Sequence, residues 1–293
     1  MIGWRRWLAA AVLTLPGSCI AAPPDKPPPA NPLLRPAASS SIGTFKLDRV
    51  PQQGGVAIGF APLGTTRLVK DGEEVVFAPD GRFIIGFGRD HNSVAILSAT
   101  LPGGRNVTER LSVSTRTWHI ESLATLPHHS QPDAEFETRR PTELAQINAA
   151  RRLPVQSSGW RETFVWPARG RISGLFGSQR IYAGQPGAPH NGVDVAGAIG
   201  TAVTAPADGV VILAAASPFT LEVNLLMIGH GMGLNSAFLH LSRIDVKVGD
   251  MVRRGQPIGA IGMTGRATGP HLHWGMKWHD ERIDPAILAG PIR

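Results

Sequence analysis

The chain has 293 residues, 42% hydrophobic and 17% charged, which is enough apolar content for real cores and excludes wholesale disorder. Its single cysteine excludes an internal disulfide framework and a cysteine-rich structural zinc site, so any metal must be held by His, Asp or Glu. The net charge of +7 suits an acidic polymer, yet no Lys/Arg run or interleaved aromatic stripe argues for nucleic acid.

Residues 1–22 predict a secretory signal: Arg5 and Arg6 form a positive start, Leu8 to Leu15 a short apolar core, and Cys19-Ile20-Ala21-Ala22 a cleavage site. Losing Arg5 and Arg6 takes the charge from +7 to +5. No later segment reaches about 18 apolar residues, so no transmembrane span is expected in the mature chain, and the expected location is the periplasm or cell envelope. Cys19 offers a competing reading as an acylated lipoprotein cysteine, but the usual leucine three places upstream is missing.

Residues 23–40 hold seven prolines and predict an extended linker. Residues 41–126 alternate short β-rich runs with turns. Val75-Val76-Phe77 and 83–87 flank Pro79-Asp80-Gly81, a hairpin signal, and 93–97 and 111–114 add strands. A small accessory β-sandwich without a catalytic constellation is expected there. Residues 127–160 read as a polar linker with one helix from Thr142 to about Arg152, started by Pro141. From 161 to 293 the chain turns glycine-rich, with strands expected at 209–213 and 225–228, which predicts a second all-β domain.

That last region carries the chemistry. His190-Asn191-Gly192-Val193-Asp194, Leu239-His240-Leu241 and Gly269-Pro270-His271-Leu272-His273 place four histidines and an aspartate within residues 190–273. All five are good ligands for a borderline metal such as zinc. On a strand, residues two or four apart share a face, so His271 and His273, and likewise His190 and Asp194, are expected to converge. Catalytic zinc takes three protein ligands and keeps one open position, which leaves two of the five over. If these are histidines they suit a hydrolase, in which a water must lose a proton and a leaving amine gain one. The chain has no H-E-x-x-H helix, and Asp208 and Asp250 sit in glycine turns, so histidine is the expected proton carrier.

At this point residues 176–285 resemble the lysostaphin/LytM-type zinc metalloendopeptidases of bacterial peptidoglycan. The likeness rests on Phe176-Gly177-Ser178-Gln179-Arg180, the two histidine motifs above, Ala205-Pro206-Ala207-Asp208-Gly209, His230-Gly231-Met232-Gly233-Leu234, His240-Leu241-Ser242, Gly255-Gln256-Pro257-Ile258-Gly259 and Thr264-Gly265. The resemblance implies an antiparallel sheet with an open groove, and one zinc per chain held by His190, Asp194 and His273. It implies His240 and His271 as the catalytic pair, one taking the water's proton and the other stabilising the tetrahedral intermediate. The implied substrate is a peptide bond in a stem peptide or cross-link, and any regulatory partner is unspecified. One departure stands out: the family's usual tyrosine two residues before the middle histidine is Phe238 here, which removes a hydroxyl expected to serve substrate polarisation or a local hydrogen bond, but no metal ligand.

His230 is a further candidate for touching substrate or orienting a catalytic group, and Arg180 for attracting a substrate carboxylate. His91, His119, His128, His129 and His279 read as structural or solvated. Thr264-Gly265-Arg266-Ala267-Thr268-Gly269 lacks the lysine and following helix of a phosphate loop. Residues 248–256 resemble a carrier-domain hairpin without its acceptor lysine. The competing function is a non-catalytic or latent cell-wall regulator that binds or activates another hydrolase. Retention of all five metal and catalytic positions counts against it. A latent enzyme, with the N-terminal domain or 127–160 over the groove, is its variant.

Overall fold

A computed structural model describes residues 43–123, 134–215, 219–265, 267 and 269–292. The expected signal, the proline-rich linker and Cys19 lie outside the described residues. The β-rich expectation holds among the described residues: strands dominate, and the one long helix among them is Ala134–Arg151.

The N-terminal half folds into two small sheets. Val56–Phe60 is central to one, between Lys46–Leu47 and Arg82–Gly86; Arg67–Lys70 and Val94–Thr100 lie centrally in the other, flanked by Glu73–Glu74 and Asn106–Ser112. The hairpin expected around Pro79-Asp80-Gly81 is reduced to one bridge, Phe77 to Phe83. The Arg82–Gly86 strand finds its long pairing with Val56–Phe60 instead, because Phe83, Ile84 and Ile85 are all buried and need cover on both faces.

The second half is built on an antiparallel eight-stranded sheet. Its order is Met251–Val252, Gly209–Ala214, Leu226–Gly231, Leu234–Leu239, His271–Trp278, Gly192–Ala196 and Arg171–Gly174, with Glu281–Ile283 also paired to His271–Trp278. The strand His271–Trp278 shows why. Leu272, Trp274, Met276 and Trp278 point into the apolar core, while His271, His273 and Lys277 alternate with them and line a cavity. One buried apolar cluster runs from Phe45 through Phe83 and Phe87 to Trp274, Trp278 and Ile283, so both halves share it. At about 25 cal/mol per Å² of apolar surface, side chains as large as Trp274 and Phe83 each contribute about 2–3 kcal/mol to that core.

The helix departs from expectation. It begins at Ala134, not Thr142, and Pro141 lies inside it. A proline there removes a backbone donor and normally breaks a helix. Here Arg139 pairs with both Glu135 (2.8 Å) and Glu143 (3.3 Å), bracing the turns on either side of Pro141. Tertiary bonds add to this. Arg140 grips Glu222 through two nitrogens, at 2.6 and 2.8 Å, and Glu143 accepts from the Thr220 amide and hydroxyl. Ile147 and Ala150 then pack against Ile212, Met227 and Ala237, seating the helix on the cavity face of the sheet. Among the described residues no helix is long and apolar enough to cross a membrane.

Candidate metal centre and active-site groove

Strand register brings the metal-ligand candidates together. Asp194 on Gly192–Ala196 lies directly opposite His273 on His271–Trp278, on the same face. His190 arrives differently from the expected same-strand pairing, because the strand starts only at Gly192. Its backbone is tied to the neighbouring turn by His190 N–H to Ser178 (2.8 Å) and Gly177 N–H to His190 (2.8 Å). Two glycines make room for the ligands: a Cβ at Gly192 would lie 2.8 Å from His273 Nε2, and one at Gly174 would collide with the Asp194 carboxylate.

The donor atoms form a small triangle. His190 Nε2 is 3.1 Å from His273 Nδ1 and 3.2 Å from Asp194 Oδ1, and His273 Nδ1 is 2.9 Å from Asp194 Oδ1. Zinc bonds of about 2.0–2.1 Å at tetrahedral angles require donors about 3.3 Å apart, so this trio fits the ion. His, His and Asp are also the right donor chemistry. The outward nitrogens are held as metal ligands require: His190 Nδ1 faces the Leu175 carbonyl at 3.0 Å, and His273 Nε2 faces Asn191 Oδ1 at 3.1 Å. With those carbonyls as acceptors for the outer ring protons, each ring can turn an inward lone pair to a bound metal.

Electrostatics agree. Burial alone would raise the Asp194 carboxyl, but hydrogen bonds from His190 and His273 and their charges outweigh it, holding it well below the usual carboxylate range. Burial pulls His190 down, yet its bond and charge interaction with Asp194 raise it overall. For His273 burial wins and the shift is downward.

The other two histidines stand beside this triangle. The His240 ring lies 5.0 Å from that of His271 and 6.3 Å from that of His273, centroid to centroid. His240 follows the strand Leu234–Leu239 in a left-handed conformation, φ 63°, which costs a non-glycine residue about 1–2 kcal/mol and turns its ring back over the sheet. Its Nδ1–H donates to the Thr264 carbonyl at 2.7 Å, and the His271 Nδ1–H to that of Gly269 at 2.8 Å. Both tautomers are thereby set, and each ring keeps an Nε2 without a hydrogen bond, that of His271 lying 3.8 Å from Asp194 Oδ1. Burial pushes His240 down to about 4, so it is neutral near pH 7.

Two cavities, of about 480 and 860 Å³, meet at this centre and share His190, Asn191, Asp194 and His271. Together they make a groove running past the metal centre on both sides. A larger cavity of about 1040 Å³ lies near Pro79, Arg152 and His279 and includes none of the five residues.

Three expectations change. His230 is fully buried, donating from Nδ1 to the Asp208 carbonyl (2.9 Å) and accepting from Ser236 at Nε2 (2.9 Å), so it reaches no substrate. Arg180 is paired with Glu121 at 2.8 Å and its charge is already met. Phe238 is fully buried in the core, on the face opposite the groove, so a hydroxyl missing there is missing from the core and not from the substrate. Sequence reasoning quoted Asn191 in its motif without giving it a role. The four positioning carbonyls escape it too; of these, the three from the backbone leave no mark in residue identity.

A family model described as peptidase family M23 matches residues 188–285. The peptidoglycan DD-endopeptidase ShyA of Vibrio cholerae is 35% identical over 199 residues, covering 65% of this chain and 41% of that protein. The peptidoglycan DD-endopeptidase ShyB of the same organism is 43% identical over 104 residues, covering 36% and 24%. The chain therefore spans less than half the length of these two relatives. A crystal structure described as a peptidase M23 from Pseudomonas aeruginosa matches with a TM-score of 0.63 and 32% identity, covering 83% of this chain and 96% of that one.

Proposed function

The chain belongs to peptidase family M23, and from that premise we propose that it is an exported zinc endopeptidase hydrolysing peptide bonds in stem peptides or cross-links of bacterial peptidoglycan. The observation that carries this reading is the triangle of His190, Asp194 and His273 donors, 2.9–3.2 Å apart, beside two histidines with unspent Nε2 atoms. The names of the Vibrio cholerae relatives support peptidoglycan as the substrate.

Zinc, when bound by those three residues, supplies Lewis acidity: it lowers the pKa of a water to about 7 and polarises the scissile carbonyl. The remaining work falls to the chain's own groups. His240 or His271 accepts the water's proton at Nε2, and the other imidazole faces the oxyanion that develops on the carbonyl. The proton then passes to the leaving amine. The Thr264 and Gly269 carbonyls keep both rings in the tautomer this requires. In this reading residues 1–22 are the signal, 23–40 a linker, 41–126 an accessory domain, 127–160 a second linker and 161–293 the catalytic domain.

A non-catalytic regulator has no use for five intact positions with both spare histidines in the reactive tautomer. The test is digestion of purified sacculi by the full chain, with and without a chelator, the fragments being identified by mass. Chelator-sensitive release of peptide-cleaved fragments is expected. Fragments indifferent to chelator, or none at all, would overturn the reading.

A further inference from the structure

The groove is not electrically uniform. On the helix side of the metal centre, Lys277 and Arg282 line the cavity from the sheet, and Arg151 lines it from the last turn of the helix Ala134–Arg151. Lys277 and Arg282 are direct cross-strand partners on His271–Trp278 and Glu281–Ile283. Like charges directly opposite one another destabilise a sheet. The fold thus tolerates a repulsion that one neutral substitution would remove.

Nearby carboxylates do not settle this charge. Glu222 is gripped by both terminal nitrogens of Arg140, and Glu143 is spent on Thr220. The carboxylate paired with Lys277 is Asp280, at 3.5 Å and fully exposed. No ion pair joins Arg151 or Arg282 to an acidic group among the described residues. Arg151 Nε is moreover buried without a hydrogen-bond partner, one of two such side-chain atoms among the described residues. Burial, then the charge of Arg282, holds the Arg151 guanidinium down to about 10, and burial followed by Arg151 lowers Lys277. Burial dominates both shifts; the neighbouring cations add to it, and Asp280 in both cases and Glu222 for Arg151 offset part of it.

On the other side of the metal centre Arg180 is already neutralised by Glu121. The surplus charge therefore belongs to one arm of the groove. Lys277 lies four positions beyond His273 along one strand face, roughly 13 Å at about 3.3 Å per residue. An extended peptide crossing the metal centre would put its fourth residue onward at that point.

Resting on the endopeptidase reading, we infer that Lys277, Arg282 and Arg151 form a subsite that binds a carboxylate of the peptide substrate, several residues from the scissile bond. Guanidinium and ammonium donors facing one carboxylate give charge-assisted hydrogen bonds, about twice as strong as neutral ones. Such a site selects peptides whose side-chain or terminal carboxylates are free over those in which they are amidated.

The test uses the full chain and a cross-linked muropeptide dimer in two forms, with free carboxylates or with the same groups converted to amides. Cleavage is read as kcat/KM, and binding is read separately by anisotropy of the labelled dimer, which needs no turnover. The free-carboxylate form is expected to be preferred at least about tenfold in both measurements, the scale of one charge-assisted hydrogen bond. Lys277→Gln with Arg282→Gln should bring that ratio close to one. The melting temperature should not fall, because a like-charge pair has gone. Arg282→Gln alone, at an exposed position, should lower the ratio at least threefold. Equal binding of the two forms by the unaltered chain, or an unchanged ratio in the double variant, would overturn the subsite. Carboxylate-dependent binding without cleavage would uphold the subsite and overturn the endopeptidase reading instead.

Discussion

The two faces of the large sheet use the same residue type for opposite ends. On the core face, His230 sits fully buried with both ring nitrogens committed, Nδ1 to the Asp208 carbonyl and Nε2 to Ser236. Ser236 in turn accepts from Trp274 Nε1 at 3.2 Å, closing a small polar chain inside an apolar cluster. On the groove face, His190, His240, His271 and His273 each have one nitrogen anchored by a carbonyl and one turned toward the centre. What separates a structural histidine from a reactive one here is not burial, since His240 and His273 are buried as well. It is whether a ring nitrogen faces the centre of the groove or is spent inside the core.

The largest effect that would sharpen this contrast lies on the groove face. Asp194→Ala removes one corner of the donor triangle and should abolish metal retention. It should lower turnover by about 10³-fold or more, the scale of several kcal/mol expected of metal-assisted catalysis. Folding stability should change far less, because Asp194 sits on the solvent side of its strand. Metal content by elemental analysis, alongside turnover on sacculi, checks this. A variant that keeps its metal would show that Asp194 is not a ligand.

The core face answers to pH instead. Burial holds His230 down to about 4, against an ordinary value of 6.5. The folded state therefore refuses a proton that the unfolded chain accepts. His230 imposes no penalty above pH 6.5, and stability is lost as pH falls from there toward 4. The full loss is about 3 kcal/mol, from about 1.36 kcal/mol per pKa unit. His230→Gln keeps a donor and an acceptor without a titrating group. Urea unfolding at pH 7 and pH 4.5 should show the variant losing about 2–3 kcal/mol less than the parent between the two. Parallel losses would mean that His230 is not responsible.

A smaller effect tests the outer hydrogen bonds of the groove histidines. Asn191→Ala leaves His273 Nε2 without its partner and should weaken metal affinity by about 10- to 100-fold, the usual cost of losing such support. Competition against a chromogenic chelator reads it, and an unchanged affinity would show that Asn191 does not orient His273.

These predictions also mark what residue order reveals. The five residues that lie together at the groove could be singled out because strands sort side chains with a period of two and because histidine-rich motifs are uncommon. Asp194 and His273 converge through cross-strand register, which neither motif contains alone. His190 converges through a turn held by residues 177 and 178, although an even spacing had suggested a shared strand. The backbone carbonyls of Leu175, Thr264 and Gly269 were invisible, since any residue supplies one. The helix through Pro141 was missed because its support is tertiary: the clamp of Arg140 on Glu222 joins residues far apart in the chain. The surplus cations at Lys277 and Arg282 emerged only once strand pairing set them face to face.

In the proposed function, one zinc held by His190, Asp194 and His273 turns the groove face into a peptidase. Chelator-stripped protein titrated with zinc tests it most directly, with peptidoglycan cleavage followed at each addition. Activity should rise linearly and level off at one equivalent of zinc per chain. Activity that survives stripping, or that does not return with zinc, would contradict the account.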